Sequence, residues 1–167
     1  VGVHHLEGHI LSPLAVLPGA YEEDLGFPHL SLVVSGGHTE LIWVEEPGRY
    51  NILGQTIDDA AGEAFDKGAR LLGLGYPGGR AVQELAKSGR SDRYRLPVAH
   101  TKSPYDLSFS GLKTAFLRLV QSEAGALSLA DAAASLQHAI VAALVDRCRR
   151  AMDETSASTV SLVGGVA

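Results

Sequence analysis

The stretch Leu30–Glu45, LSLVVSGGHTELIWVE, constrains this chain more than any other, because it joins two apolar arms through Ser35-Gly36-Gly37-His38-Thr39. Leu32, Val33 and Val34 form a short continuous apolar run before the turn. After it, Leu41 and Trp43 alternate with Glu40 and Ile42, so both arms predict β-strand. Two adjacent glycines at the tip admit positive φ and leave backbone N–H groups bare to a close-approaching group. With the Ser35 and Thr39 hydroxyls on either side, such a tip can wrap a phosphate or a carboxylate. An isolated Ser-Gly-Gly serves equally well as an ordinary hairpin turn. The segments around it therefore decide its meaning.

A chain of 167 residues suits one domain, and an apolar fraction of 46% is enough for a core. The formal net charge of -5 gives no overall electrostatic case for nucleic-acid binding, so RNA contact has to come from a local patch or from a partner. The single Cys148 excludes an internal disulfide and fits a reducing cytoplasm. No stretch approaches the roughly 20 apolar residues of a membrane helix, and no signal peptide is expected. The first residue is Val1 rather than Met, as in a piece of something longer.

Leu6, Ile10, Leu14 and Leu17 recur at spacings of three and four, which predicts an amphipathic helix over residues 3–17, kinked or split at Pro13. His5 and His9, four apart, project from one face of that helix at a separation one metal ion can bridge. Such a pair is also common as plain surface or core decoration. The zincin motif needs Glu directly after the first His, whereas Leu6 follows His5 and Glu7 falls in the middle, so a peptidase reading starts with its base misplaced.

Residues 18–28 read as a loop, and residues 50–57 as a third strand. Asp58-Asp59 is expected to cap a helix through Leu72, on which Glu63, Asp66 and Lys67 form a charged cluster, with Tyr76-Pro77-Gly78-Gly79 as a following loop. A short helix from Arg80 to about Lys87 leads into the only local basic cluster, Lys87, Arg90, Arg93 and Arg95 around Tyr94. Arginine beside an aromatic suits phosphate and base contact, and suits a solvated loop as well. Asp106–Thr114 predicts a turn entering a helix, with Lys113 at its start either holding an anion or facing water. The longest helix is expected over residues 128–153, striped by Leu129, Ala133, Leu136, Ile140, Leu144, Cys148 and Met152, with His138 structural. A buried strand over residues 159–163 then leads to Gly164-Gly165-Val166-Ala167.

Five strings taken in order, HHLEGH (residues 4–9), VVSGGHTEL (33–41), TIDDAAGEAFDKGARLLGLGYPGG (56–79), DLSFSGLKT (106–114) and the final GGVA, closely resemble the bacterial tRNA adenosine threonylcarbamoyltransferase family, TsaD. The resemblance spans essentially the whole chain. It implies an α/β chain of the actin-like ATPase (ASKHA) fold, a ribonuclease H-like lobe with a mixed sheet and flanking helices. Residues 1–28 would be the end of a first lobe and 29–167 most of a second, truncated at both ends.

The activity implied is transfer of a threonylcarbamoyl group from threonylcarbamoyl-adenylate to N6 of the adenosine adjoining the anticodon. By motif match, His5 and His9 would be two ligands of one iron or zinc ion. Val33, Val34, Ser35, Gly36 and Gly37 would cradle the adenylate or a related adenine nucleotide, and Asp66 and Gly79 would contact the rest of it. No residue is implied as the base for the attacking amine. Family members carry a strand and phosphate loop before the histidine helix, then an asparagine and a metal-binding aspartate after GGVA. This chain therefore resembles a central fragment, inactive alone and open to self-association. The partners implied are tRNA, a paralogous pseudoenzyme subunit and a small ATPase subunit, with no membrane. Two other classes stay open: a zinc metallopeptidase, and a non-catalytic ASKHA-like binding module.

Overall fold

The hairpin forms as its sequence predicts. In the computed structural model, which describes residues 4–15, 25–123 and 125–167, β1 (His29–Val34) pairs antiparallel with β2 (Thr39–Glu46), Leu30 opposite Trp43 and Val34 opposite Thr39. On its far side β2 pairs antiparallel with β3 (Arg49–Gln55), and β1 pairs in parallel with β4 (Val160–Val163), Leu30 beside Val160 and Val33 beside Val163. The resulting four-stranded mixed sheet runs β3-β2-β1-β4. It is the arrangement that the family resemblance implies, a meander whose first strand takes a parallel neighbour after a long helical crossover.

Every residue of β1 is buried, which explains the unbroken apolar run at its end: helices cover both faces of the sheet there. Leu30, Leu32, Val34 and Leu41 join the main core with Ala61, Phe109, Leu136 and Ile140. Val33, Ile42, Val44 and Val163 turn to the other face and cluster with Ile10. Ile10 belongs to α1 (His5–Leu11), whose Leu6 packs against the same group. This helix stops earlier than its periodicity predicts, because Pro13 falls in a 3-10 turn over Ser12–Leu14. Proline has no N–H to continue the helical ladder. The remainder of that predicted helix, and most of the loop expected over residues 18–28, lie outside the described residues.

On the main-core face lie α2 (Ala61–Leu71), α3 (Gly78–Ala86), α4 (Ser110–Ser122) and α5 (Leu129–Thr155). Two boundaries differ from expectation. Asp58 and Asp59 do not cap α2: its first amides go to Glu63, which accepts from the Ala60 N–H at 3.0 Å, and to Thr39, whose hydroxyl accepts from the Ala61 N–H at 2.8 Å. Gly78 and Gly79, expected in a loop, are instead the first two residues of α3.

Helix α5 begins as predicted, with the Ser128 hydroxyl accepting the Asp131 N–H at 3.3 Å. Contrary to expectation, it is long and apolar enough, by length and composition, to cross a membrane. Its apolarity is spent on the core, where Ala132, Ala133, Leu136, Ile140 and Ala143 are buried. Its buried Arg147 donates to the Asp106 carbonyl at 3.0 Å and the Ala99 carbonyl at 2.7 Å. Leu129, read as part of the apolar stripe, is exposed, as is His138.

Candidate functional site

The carboxyl ends of the parallel pair β1 and β4 lie side by side, and both run into glycines: Ser35-Gly36-Gly37 after β1 and Gly164-Gly165 after β4. This is where open α/β sheets hold ligands, since no side chain blocks the space beyond the strand ends. Close packing fixes the spot. The Val166 N–H donates to the Val34 carbonyl at 3.1 Å, and a Cβ on Gly164 (φ +111°) would fall 2.3 Å from that same oxygen. The C-terminal GGVA is therefore laid against the base of the Ser-Gly-Gly tip.

On the other side of the tip stands the first turn of α2. The Gly62 N–H donates to the Ser35 carbonyl at 3.2 Å, and a Cβ at Gly62 would sit 2.6 Å from that carbonyl oxygen and 2.7 Å from the Gly36 Cα. Only a glycine lets the helix come so near. The first amides of α2 are consumed by Glu63, Thr39 and Ser35, so this helix start is not itself an anion site. The tip is what remains open. Ser35 and His38 close it reciprocally, the Ser35 N–H donating to the His38 carbonyl at 2.8 Å and the Ser35 hydroxyl accepting the His38 N–H at 2.9 Å. Among the described residues no acceptor takes the Gly36 or Gly37 N–H, and both glycines are exposed.

One turn further along α2, Asp66 lies on the same stripe as Gly62. Its Oδ1 accepts the Gly78 N–H at 2.7 Å, fixing the start of α3 and placing half-buried Gly79 beside α2. Four residues of helix rise about 6 Å, so Asp66 stands about that far along α2 from the Gly62 turn that braces the tip. The structure thus gathers Ser35, Gly36, Gly37, Asp66 and Gly79 around α2. Val33 and Val34 contribute differently, since their side chains are buried and their backbones are held in the ladder beneath the tip. The Ser35 and Thr39 hydroxyls are likewise committed, one to the turn and one to α2.

The long 56–79 motif and the 106–114 motif interlock behind this corner. Leu107 donates its N–H to the Gln55 carbonyl at 3.0 Å, and its own carbonyl accepts from Ile57 at 2.9 Å. Asp58 accepts the Phe109 N–H at 2.7 Å and the Ser108 hydroxyl at 2.5 Å, so it caps α4 rather than α2. Burial pushes the Asp58 carboxyl up, but the Ser108, Phe109 and Ser110 donors outweigh it and hold the group below its usual range. Asp59 accepts from Lys67 and from Lys113, the latter at 3.5 Å, which settles Lys113 as an ion-pair partner. Nothing in the sequence marked Asp58 as a cap for a helix so far along the chain.

His5 and His9 sit on α1, on the opposite face of the sheet from α2, with Ile10 beside Val33 and Val163 at the carboxyl ends. Their rings meet edge to face with centroids 4.6 Å apart. With metal–nitrogen distances of about 2.1 Å, that separation fits two corners of one coordination sphere. Among the described residues no third His, Cys, Asp or Glu completes the set. Glu7 is not free for chemistry, because its Oε1 accepts the Tyr50 hydroxyl at 2.9 Å and ties α1 to β3.

The whole chain, residues 1–167, matches the sequence profile of the tRNA N6-adenosine threonylcarbamoyltransferase family. A curated protein of that name from Syntrophotalea carbinolica is 50% identical over 100% of this chain and 48% of its own length. Those from Symbiobacterium thermophilum (52% identical) and a Synechococcus species (51%) likewise align along 100% of this chain, over 48% and 45% of their own lengths. The chain spans about half the length of the curated relatives it matches. With its α/β fold, its mixed four-stranded sheet and a family match along its whole length, the chain belongs to the tRNA N6-adenosine threonylcarbamoyltransferase family.

Proposed function

We propose that this chain supplies the nucleotide-holding part of a tRNA threonylcarbamoyl transfer enzyme, with threonylcarbamoyl-adenylate as donor and the adenosine adjoining the anticodon as acceptor. The observation that carries the reading is the pair of exposed amides at Gly36 and Gly37, unpaired among the described residues and set between α2 and GGVA at the carboxyl ends of parallel strands. Two bare N–H groups on a backbone braced from both sides suit the phosphoryl oxygens of an adenylate. Asp66 keeps Oδ2 for a ribose hydroxyl while Oδ1 holds Gly78, so the residue that fixes the corner also reads the sugar. Gly79, where an added Cβ would meet the Phe65 Cβ at 3.9 Å, would let the nucleotide lie flat against the start of α3.

His5 and His9 would hold one iron or zinc ion, with the remaining ligands drawn from outside the described residues. When bound, the ion supplies Lewis-acid polarisation of the carbamoyl carbonyl. The chain's own part is to keep the two imidazoles in contact on α1, anchored to the sheet by Ile10 and by the Glu7–Tyr50 hydrogen bond. That bond also speaks against the peptidase alternative, which needs a free carboxylate there. A paralogous pseudoenzyme subunit and a small ATPase subunit are the partners this reading implies, with the cytoplasm as its compartment.

The test is tRNA modification by a protein of the relatives' full length carrying this segment, assembled with its partners. Asp66→Ala is expected to lower adenylate affinity at least tenfold, and His5→Ala to abolish transfer while sparing adenylate binding. Unchanged modification in both variants would remove the assignment.

A further inference from the structure

The basic cluster after α3 finds no use in the site described above, yet the fold treats it with care. Residues 78–95 hold five basic side chains (Arg80, Lys87, Arg90, Arg93, Arg95) against two acidic ones (Glu84, Asp92), a local balance of +3 in a chain whose net charge is -5. The backbone that carries these cations is bolted to the start of α5. A Cβ on Gly89 would lie 2.0 Å from the Ala130 carbonyl oxygen, so the loop is pressed against that helix. The Arg90 N–H donates to Asp131 at 2.8 Å, the Tyr94 N–H to the Ser135 hydroxyl at 3.2 Å, and the Ser128 N–H to the Tyr94 hydroxyl at 3.2 Å.

The side chains point the other way. Arg90, Arg93 and Arg95 are all exposed. Arg90 meets Asp92 only in a solvent-exposed pair at 3.3 Å, which contributes little to stability. The Arg93 guanidinium stacks over the Tyr94 ring, 5.8 Å from its centroid. Cations displayed from a rigid backbone lose little freedom on meeting a ligand. Planar guanidiniums also match phosphodiester oxygens two at a time. Position completes the case: α3 begins at the Asp66–Gly79 corner and ends at this loop, nine residues and about 13 Å later.

We infer that the 87–95 loop is a contact for the phosphate backbone of an RNA whose reactive base reaches the Gly-Gly pocket one helix length away. The inference rests on the transfer reading given above and adds where the tRNA would lie. Arg93 and Arg95 are the main contacts, Arg90 joins by exchanging Asp92 for phosphate, and Lys87 extends the track toward Arg80. These contacts fix register and affinity and carry no base sequence of their own.

The experiment uses a full-length protein carrying this segment, assembled with its partners, and compares it with Arg90→Gln/Arg93→Gln/Arg95→Gln and with the triple lysine variant. Each phosphate contact steepens the dependence of log affinity on log salt by about 0.7–0.9, so losing three should flatten the slope by about 2–3. Between 50 and 200 mM salt the wild-type KM for tRNA should then rise about 20–60-fold more than that of the glutamine variant. Turnover at saturating tRNA and adenylate binding should be unchanged, and lysine should restore most of the slope. Equal slopes in wild type and the glutamine variant would overturn the inference while leaving the transfer reading intact. Loss of partner-subunit binding with an unchanged slope would assign the loop to a protein and overturn it as well. A wild-type protein that binds no adenylate would sink the transfer reading instead.

Discussion

Replacing Gly62 by alanine tests the close approach on which the pocket depends. The new Cβ would stand 2.6 Å from the Ser35 carbonyl oxygen, 2.7 Å from the Gly36 Cα and 3.0 Å from the Gly36 nitrogen, all backbone atoms with no flexible end to swing aside. Ordinary contact begins at 3.4 Å, so tip and helix must part by about 0.8 Å. Overpacking of this kind costs about 1–3 kcal/mol. Alanine's better helix propensity returns up to about 1 kcal/mol, leaving a net loss of about 0–3 kcal/mol. The functional loss should be larger, because the shift falls on the Gly36 and Gly37 amides: a misplacement near 1 Å costs up to about a hundredfold. Gly111→Ala is the matched control, a helical glycine whose added Cβ meets nothing within 4 Å. It should stabilise by about 0.4–1 kcal/mol. Urea denaturation of both variants, with adenylate titration of each, reads the two effects separately. If Gly62→Ala matched Gly111→Ala in stability and kept wild-type affinity, the braced-tip account would be wrong.

The Asp58 carboxyl is depressed below its ordinary 3.8, so its stabilisation is present above that value and is lost as pH falls through the lower folded one. Asp58→Asn should cost about 1 kcal/mol at pH 7, the usual worth of an accessible cap, and less at pH 3. An equal cost at both pH values in denaturant titrations would show that the carboxylate charge plays no part. Burial pushes the Cys148 thiol from 9.0 to about 11, so at pH 8 the folded chain should react with iodoacetamide about a hundredfold more slowly than the urea-unfolded chain. Equal rates in the two states would place that side chain in solvent.

What could be read from the sequence was local. The hairpin and the capped start of α5 each follow from residues within a few positions of one another, apolar arms about a Gly-Gly turn and a Ser at the N-cap, whereas β4 forms where expected but is not buried throughout: Ser161 and Val163 are covered and Leu162 is exposed. The errors lie where a partner is distant. Asp58 precedes α2 and was expected to cap it, but its donors, Ser108 and Phe109, come from 50 and 51 residues away. Glu63, which the sequence shows only as part of a charged cluster, caps α2 in its place. Glu7, a misplaced base by its spacing alone, has its partner 43 residues along in β3. Spacing along one helix reveals none of these, because each is a choice between competing acceptors made only when strands have paired.

The same contrast explains why glycine carries the site. A phosphate-holding tip needs amides left over after folding, and a folded chain satisfies nearly all its buried amides. Here the spare donors of α2 are used up by Thr39, Glu63 and Ser35, which pulls the helix onto the tip and makes Gly62 necessary. With those donors spent on bracing, the Gly36 and Gly37 N–H groups stay open at the tip among the described residues. The committed hydroxyls of Ser35 and Thr39 are therefore scaffold, and in the proposed function binding would fall to the backbone between them. It follows that Thr39→Val, which keeps the side chain's shape but removes its acceptor, should weaken adenylate binding by freeing the start of α2, although the Thr39 side chain is itself wholly buried.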